Sequence, residues 1–111
     1  MAPQTSEACR RAALALANAA RQTHCSSAIF SSVFAGDGAT TASVYIGRHL
    51  LRDLGFNPVL IELNRIRPAL AQLFRLDTDR SMAAVASGSA NVVDCVQKDP
   101  AGLSIIPAGK V

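Results

Sequence analysis

Residues 31–41 have the composition of a loop that could bind a phosphate group. They read Ser-Ser-Val-Phe-Ala-Gly-Asp-Gly-Ala-Thr-Thr, follow the apolar run Ala28-Ile29-Phe30, and lead into a helical pattern. Gly36 and Gly38 supply the positive-φ freedom that such a loop needs. Backbone N–H groups of the loop and of the start of the following helix, from Gly36 through Asp37 to Thr41, would face an anion. The predicted chemistry is phosphate binding between a strand and a helix.

This loop lacks the cation of a complete nucleotide-binding loop. The motif Gly-x-x-x-x-Gly-Lys-Ser/Thr requires glycine and lysine where the chain has Val33 and Ala39. Thr40 stands where a hydroxyl would hold Mg²⁺ if that ion binds. The stretch therefore has the outline of a phosphate loop without its charge. From these residues alone, the alternative is an ordinary glycine-rich turn between a strand and a helix.

A second polar group stands at the carboxyl end of a predicted strand, residues 57–63. Its members are Glu62, Asn64, Arg65 and Arg67. A strand–helix–strand unit crosses over right-handed, which places its two strands parallel in one sheet. Ligands of such sheets bind outside the carboxyl ends of the strands. The two stretches are therefore expected to converge on one crevice.

The elements that must position these residues follow from hydrophobic spacing. An N-terminal helix is predicted from a cap at Ser6 to about Gln22, and a second from Thr40 or Thr41 to a stop at Gly55. Three parallel strands are predicted at residues 28–34, 57–63 and 103–106, and short helices at residues 69–75, 81–86 and 91–96.

Composition limits the classes of function. The 111 residues suffice for one small domain, and the net charge of +3 comes from scattered arginines, which disfavours a nucleic-acid surface. Three cysteines without a Cys-x-x-Cys pair indicate reduced thiols. An apolar run of about 20 residues, as a membrane span needs, is not present. The N-terminal leader has too short an apolar stretch for a signal peptide. We therefore expect a cytoplasmic protein.

Five stretches in order resemble the ATPase-like domain of the bacterial tyrosine autokinases, which act with polysaccharide co-polymerases in capsule and exopolysaccharide export. Residues 32–41 resemble the first motif of these deviant-Walker ATPases, Ser-x-x-Pro-Gly-Glu-Gly-Lys-Thr-Thr, and residues 60–68 the second, apolar-Ile-Asp-x-Asp-x-Arg-x-Pro. Residues 73–76 resemble Leu-Phe-x-Leu, residues 81–88 Gly-Leu-x-x-x-Leu-x-Gly, and residues 103–109 Leu-x-apolar-Leu-Pro-x-Gly.

The resemblance implies a fold that this chain forms incompletely. We expect an α/β, P-loop NTPase-like three-layer unit with a parallel sheet of about three strands. The N-terminal helix and loop would occupy residues 1–27, and the degenerate ATPase-like domain residues 28–111.

The resemblance also implies that the catalytic positions have been replaced. The lysine of the first motif is Ala39, and the two aspartates of the second are Glu62 and Asn64. Phosphoryl transfer depends on positioning and electrostatics, and each such loss costs about 10²-fold or more in rate. We expect a pseudokinase or pseudo-ATPase with no catalytic residue. No cofactor is expected, although ATP or ADP with Mg²⁺ could still bind weakly on the backbone of residues 36–41.

The function that the resemblance implies is a part in exopolysaccharide or capsule biosynthesis through protein contact. The expected partner is a polysaccharide co-polymerase or another export protein, which would hold the chain at the inner membrane. Three alternatives stay open. The chain could be an active autokinase or ATPase that uses Arg65 or Arg67, a partition-type positioning ATPase that binds DNA or membrane, or an α/β fragment without its own function.

The N-terminal helix is also expected to join subunits of a homo-oligomer. Glu7 and Arg10 keep half of the family's Glu-x-x-Arg-x-x-Arg oligomerisation motif, whose last arginine is Ala13 here. Exposed ion pairs contribute only about 0–1 kcal/mol, so Leu16 and its apolar neighbours must carry the contact. This predicted stripe comprises Cys9, Ala12, Ala13, Leu16 and Ala20.

Overall fold

A computed structural model describes residues 3–24, 27, 39–64 and 68–109. The chain divides into two compact units, Met1–Pro58 and Val59–Val111. The predicted boundary after residue 27 does not coincide with this division, because the first unit contains both long helices. The strand predicted at residues 28–34 lies outside the described residues.

The first unit is a packed pair of helices, α1 (Pro3–Thr23) and α2 (Ala39–Arg52). Cys9 and Ala13 of α1 form its buried core with Ile46 of α2. Partly buried hydrophobic residues pack against that core: Ala12, Leu16, Ala42, Tyr45, Leu50 and Leu54. The predicted α1 stripe therefore contacts α2 of the same chain.

Both helices agree with the spacing of apolar residues in the sequence. Because α1 begins at Pro3, the predicted cap at Ser6 is wrong, and Ser6 lies inside the helix. The 14 residues of α2 confirm a helix of at least three turns after the predicted phosphate loop. Gly55 has φ +73° beyond α2, and the Phe56 N–H donates to the Leu50 carbonyl across it at 2.9 Å.

The second unit contains a three-stranded sheet in the order β1, β3, β2. Its elements are β1 (Val59–Ile61), α3 (Leu70–Phe74), α4 (Met82–Ala86), a 3₁₀ turn (Val92–Cys95), β2 (Gln97–Lys98) and β3 (Ser104–Ile106). Strands β1 and β3 run parallel, with Val59 opposite Ser104 and Ile61 opposite Ile106. The α/β class is confirmed, as is the parallel pairing of these two predicted strands.

Strand β2 makes the sheet mixed, because it pairs antiparallel with β3. The turn between them is closed by Asp99, whose Oδ1 accepts the N–H groups of Ala101 at 2.8 Å and Leu103 at 2.9 Å. Gly102 has φ +89° in this turn, a backbone conformation that glycine adopts without steric cost. The hairpin leaves β3 in the centre of the sheet.

The core of the second unit lies on β3 and the residues that flank it. Leu103 and Ile105 have no solvent exposure, and residues 103–109 are all buried. Leu70 of α3 and Cys95 of the 3₁₀ turn are also buried. In the described part of the chain, no helix is both long and apolar enough to cross a membrane.

Candidate functional site

The predicted phosphate loop lies only partly within the described residues. Three of its members fall outside them: Gly36, Asp37 and Gly38. The other three, Ala39, Thr40 and Thr41, form the first turn of α2. The first N–H groups of a helix have no acceptor within the helix. Whether this loop binds phosphate stays a prediction, because its glycines lie outside the described residues.

Glu62 directly follows β1, at the carboxyl end where the second motif was expected. Its N–H donates to the Ile106 carbonyl at 3.0 Å, which continues the pairing with β3 by one residue. Successive side chains of a strand point to opposite faces of the sheet. Ile61 and Leu63 are accordingly 45 % and 70 % exposed, whereas Glu62 is 9 % exposed. The alternation along β1 therefore directs the Glu62 carboxylate toward the interior of the second unit.

Both carboxylate oxygens of Glu62 accept hydrogen bonds from the backbone. Oε2 accepts the N–H of Ala69 at 2.8 Å and that of Leu70 at 3.1 Å. Oε1 accepts the N–H of Ala108 at 3.0 Å. These bonds connect the end of β1 to the start of α3 and to the segment after β3. Glu62 thus serves as a remote cap for α3, because Ala69 at the cap position has no side-chain acceptor.

The start of α4 meets the same segment after β3. The N–H groups of Met82 and Ala83 donate to the carbonyls of Pro107 at 2.8 Å and Ala108 at 3.0 Å. Ser81 caps α4 by accepting the Ala84 N–H at 3.3 Å, and it is 1 % exposed. We call Glu62 together with residues 69–70, 81–83 and 107–109 the Glu62 junction. It brings together residues from three of the five stretches that carry the family resemblance: 60–68, 81–88 and 103–109.

Of the remaining second-motif positions, the structure describes only Asn64. Asn64 is exposed, and Arg65 and Arg67 lie outside the described residues. Among the residues that the structure describes, no group of three or more histidine, cysteine, aspartate or glutamate side chains could hold a metal ion.

A cavity of about 280 Å³ lies in the first unit and was not predicted. Its lining residues are Arg10, Leu14, His49, Asp53 and Leu54. His49 Nδ1 lies 2.7 Å from Asp53 Oδ2. On the same helix, the guanidinium carbon of Arg48 lies 5.6 Å from the centre of the Tyr45 ring. The cavity combines two leucines with groups of both charges.

The predicted interface residues Glu7 and Arg10 pair with each other within α1. Arg10 donates to both Glu7 oxygens, at 2.9 Å and 2.6 Å. Arg11 adds a longer contact to Glu7 at 3.4 Å. The hydrogen bond from Arg10 is the main reason why the pKa of Glu7 is lowered from 4.5 to about 2, and the positive charges of both arginines act in the same direction. The same pair raises the pKa of Arg10.

The crystal structure of the kinase domain of VpsO is similar to this chain. The TM-score is 0.70 at 23% sequence identity, over 94% of this chain and 52% of that chain. The chain therefore spans about half the length of that kinase domain and shares its α/β fold over that part. No family model matches the sequence. A search of curated proteins likewise gives no match.

Proposed function

We propose that this chain is a catalytically inactive relative of the bacterial tyrosine autokinases that acts by protein contact in exopolysaccharide or capsule assembly. The kinase-domain fold and the five ordered sequence resemblances support the relationship. The main observation in favour of catalytic inactivity is that both Glu62 oxygens accept hydrogen bonds from backbone N–H groups.

A metal ion at Glu62 would compete for the carboxylate with hydrogen bonds that hold the fold together. A hydrogen bond to a charged group contributes about 1.5–3 kcal/mol, and three such bonds end on this carboxylate. Magnesium also gives up its water ligands reluctantly and requires near-octahedral geometry. Glu62 is therefore a poor substitute for the aspartate that the resembling motif carries.

The start of α2 supports the same proposal, because it lacks the side-chain cation that would bind the phosphates of a nucleotide. With Ala39 in place of lysine, a bound phosphate would be neutralised only by backbone N–H groups and the helix dipole. Such donors allow weak binding of ATP or ADP. They do not supply the localised positive charge that phosphoryl transfer uses at its transition state.

The catalytic part is tested by turnover of Mg-ATP and by phosphotyrosine detection on Tyr45, the only tyrosine of the chain. The expected result is no turnover and no phosphotyrosine. Turnover that disappears in Arg65→Ala or Arg67→Ala would instead establish the alternative of an active enzyme. Arg52→Ala is the matched control, because Arg52 is an exposed arginine at the end of α2.

The contact part is tested by co-purification from cells that make exopolysaccharide. We propose a polysaccharide co-polymerase or related export protein at the inner membrane as the partner, with this chain held there through it. Recovery of such a protein is the expected result, and its absence would contradict the proposal. A gel shift at low salt, where phosphate-driven binding is strongest, tests the partition-type alternative on the same preparation.

A further inference from the structure

Three backbone N–H groups from two separate segments converge on one carboxylate in the second unit. One belongs to Ala69, just before α3, and one to Leu70, the first residue of α3. The third belongs to Ala108, in the segment after β3. The donor–acceptor distances are 2.8, 3.1 and 3.0 Å. Backbone N–H groups therefore bind the oxygen atoms of this carboxylate, as such groups do in sites that bind an anion.

The donors are held in place by bonds that do not involve Glu62. The Ala69 carbonyl accepts the Leu73 N–H at 2.9 Å, which fixes the start of α3. Ala108 is fixed through its carbonyl, which accepts the Ala83 N–H at 3.0 Å, and by the pairing of β3 just before it. A set of donors that is positioned independently of its ligand is preorganised, which favours binding.

We infer that these three N–H groups form a carboxylate-binding cradle whose occupant is the side chain of Glu62. The chain thereby fills, with its own acid, a site at the carboxyl end of β1 and β3 that would accept a small carboxylate. The residue at 62 then determines whether the cradle is closed or open. This inference does not depend on the proposed function, because it concerns only the contacts within the second unit.

The experiment is chemical rescue of Glu62→Ala by acetate or formate, followed by thermal unfolding. In sodium chloride the variant should unfold at a temperature lower by about 5 °C or more than the unsubstituted chain. In sodium acetate or formate at the same ionic strength, it should regain at least half of that loss. The unsubstituted chain should show no such difference between the salts. A Glu62→Ala variant that responds equally to acetate, formate and chloride would overturn the inference.

Asp79→Ala is the matched control, because Asp79 is an exposed carboxylate in the same unit. It should unfold near the temperature of the unsubstituted chain and gain nothing from acetate. Amide resonances of Leu70 and Ala108 provide a second measurement. In Glu62→Ala, both should shift on addition of acetate with one common affinity, and unmoved resonances would count against the cradle.

If Glu62→Ala does not fold in chloride, folding in formate supports the inference. If it folds in neither salt, Glu62→Gln decides. This variant keeps the shape of the side chain but replaces one acceptor oxygen by an amide NH₂ that faces a donor. A lowered unfolding temperature for Glu62→Gln, beside an unchanged one for Asp79→Asn, supports the cradle. An unfolding temperature equal to that of the unsubstituted chain overturns it.

Discussion

Gly109 lies so close to Ser81 that a Cβ atom on Gly109 would overlap the Ser81 hydroxyl. Gly109 also has φ +83°, a backbone conformation that residues with a side chain rarely adopt. Ser81 cannot move away freely, because it is buried and caps α4. The segment after β3 therefore needs glycine for two separate reasons.

Gly109→Ala should destabilise the chain more than Gly102→Ala does. Gly102 also has a positive φ, +89°, but an added Cβ would meet no atom within 4 Å. The conformational cost alone is roughly 1–2 kcal/mol. The overlap with Ser81 should add about 1–3 kcal/mol at Gly109 only. Urea unfolding of both variants measures the difference, and equal losses of stability would show that Ser81 gives way.

The ion pair of α1 should make Glu7 titrate in unusually strong acid. Its pKa in the folded chain is about 2, below the ordinary 4.5, so the pair stabilises α1 above about pH 4.5 and is lost as the pH falls to 2. The effect on overall stability should be small, because the side chain of Glu7 is 46% exposed. A titration of the carboxyl ¹³C resonance measures the pKa. It should rise in Arg10→Gln and stay low in Arg21→Gln, and a midpoint near 4.5 in the unsubstituted chain would contradict the pairing.

Leu16→Asp should destabilise the first unit, whereas Leu14→Asp should have a much smaller effect. Leu16 packs against the core of Cys9, Ala13 and Ile46, but Leu14 is 36 % exposed. Burying a charge in place of an apolar group costs about 2 kcal/mol or more. The urea concentration at the midpoint of the loss of α-helical circular dichroism measures the stability of both variants. Equal midpoints for the two would contradict the observed packing.

Because Leu16 packs within the chain, a test of the proposed homo-oligomer needs exposed residues. We propose that Glu7 and Arg10 lie at or near the contact. Arg10→Glu then places two negative charges together on α1 and should lower the mass measured by light scattering. Arg21→Glu, at the other end of the same helix, should not lower it. A monomer at high concentration in the unsubstituted chain would overturn the proposed oligomer.

Restoring the lysine should raise the affinity for nucleotide. A charge-assisted hydrogen bond contributes about 1.5–3 kcal/mol, so Ala39→Lys should bind Mg-ADP about 10- to 100-fold more tightly in a calorimetric titration. A second substitution, Glu62→Asp, combined with Ala39→Lys should lower the unfolding temperature of the chain. The aspartate side chain is shorter by one methylene and cannot reach the N–H groups of Ala69, Leu70 and Ala108 together. Unchanged affinity in Ala39→Lys would mean that the loop is not shaped for phosphate.

Most elements of the fold follow from local patterns in the sequence. Apolar spacing predicted α1 and α2, and the runs around Val59 and Ile105 predicted the two parallel strands. Strand β2 was not predicted, since Gln97–Lys98 is short and polar and carries no alternation. The signal that could have found it is the turn that follows, Asp99-Pro100-Ala101-Gly102, which is typical of a tight connection between two strands.

The role of Glu62 could not be predicted in the same way. An acidic residue at the carboxyl end of a strand indicates a ligand site, and the resemblance to an aspartate motif strengthened that interpretation. Its partners are backbone N–H groups 7, 8 and 46 residues further along the chain. Every residue except proline carries such a group, so residue type gives no signal of the contact.

The 46-residue span between Glu62 and Ala108 also has a consequence for biosynthesis. On the ribosome, α1 and α2 can pack as soon as residues up to about 54 have left the exit tunnel. The Glu62–Ala108 bond cannot form until Ala108 has emerged, and until then the carboxylate must stay hydrated or bind elsewhere. The two helices of the first unit can therefore pack while the second unit is still being translated, and a pause in translation between β1 and β3 would leave β1 without its partner strand.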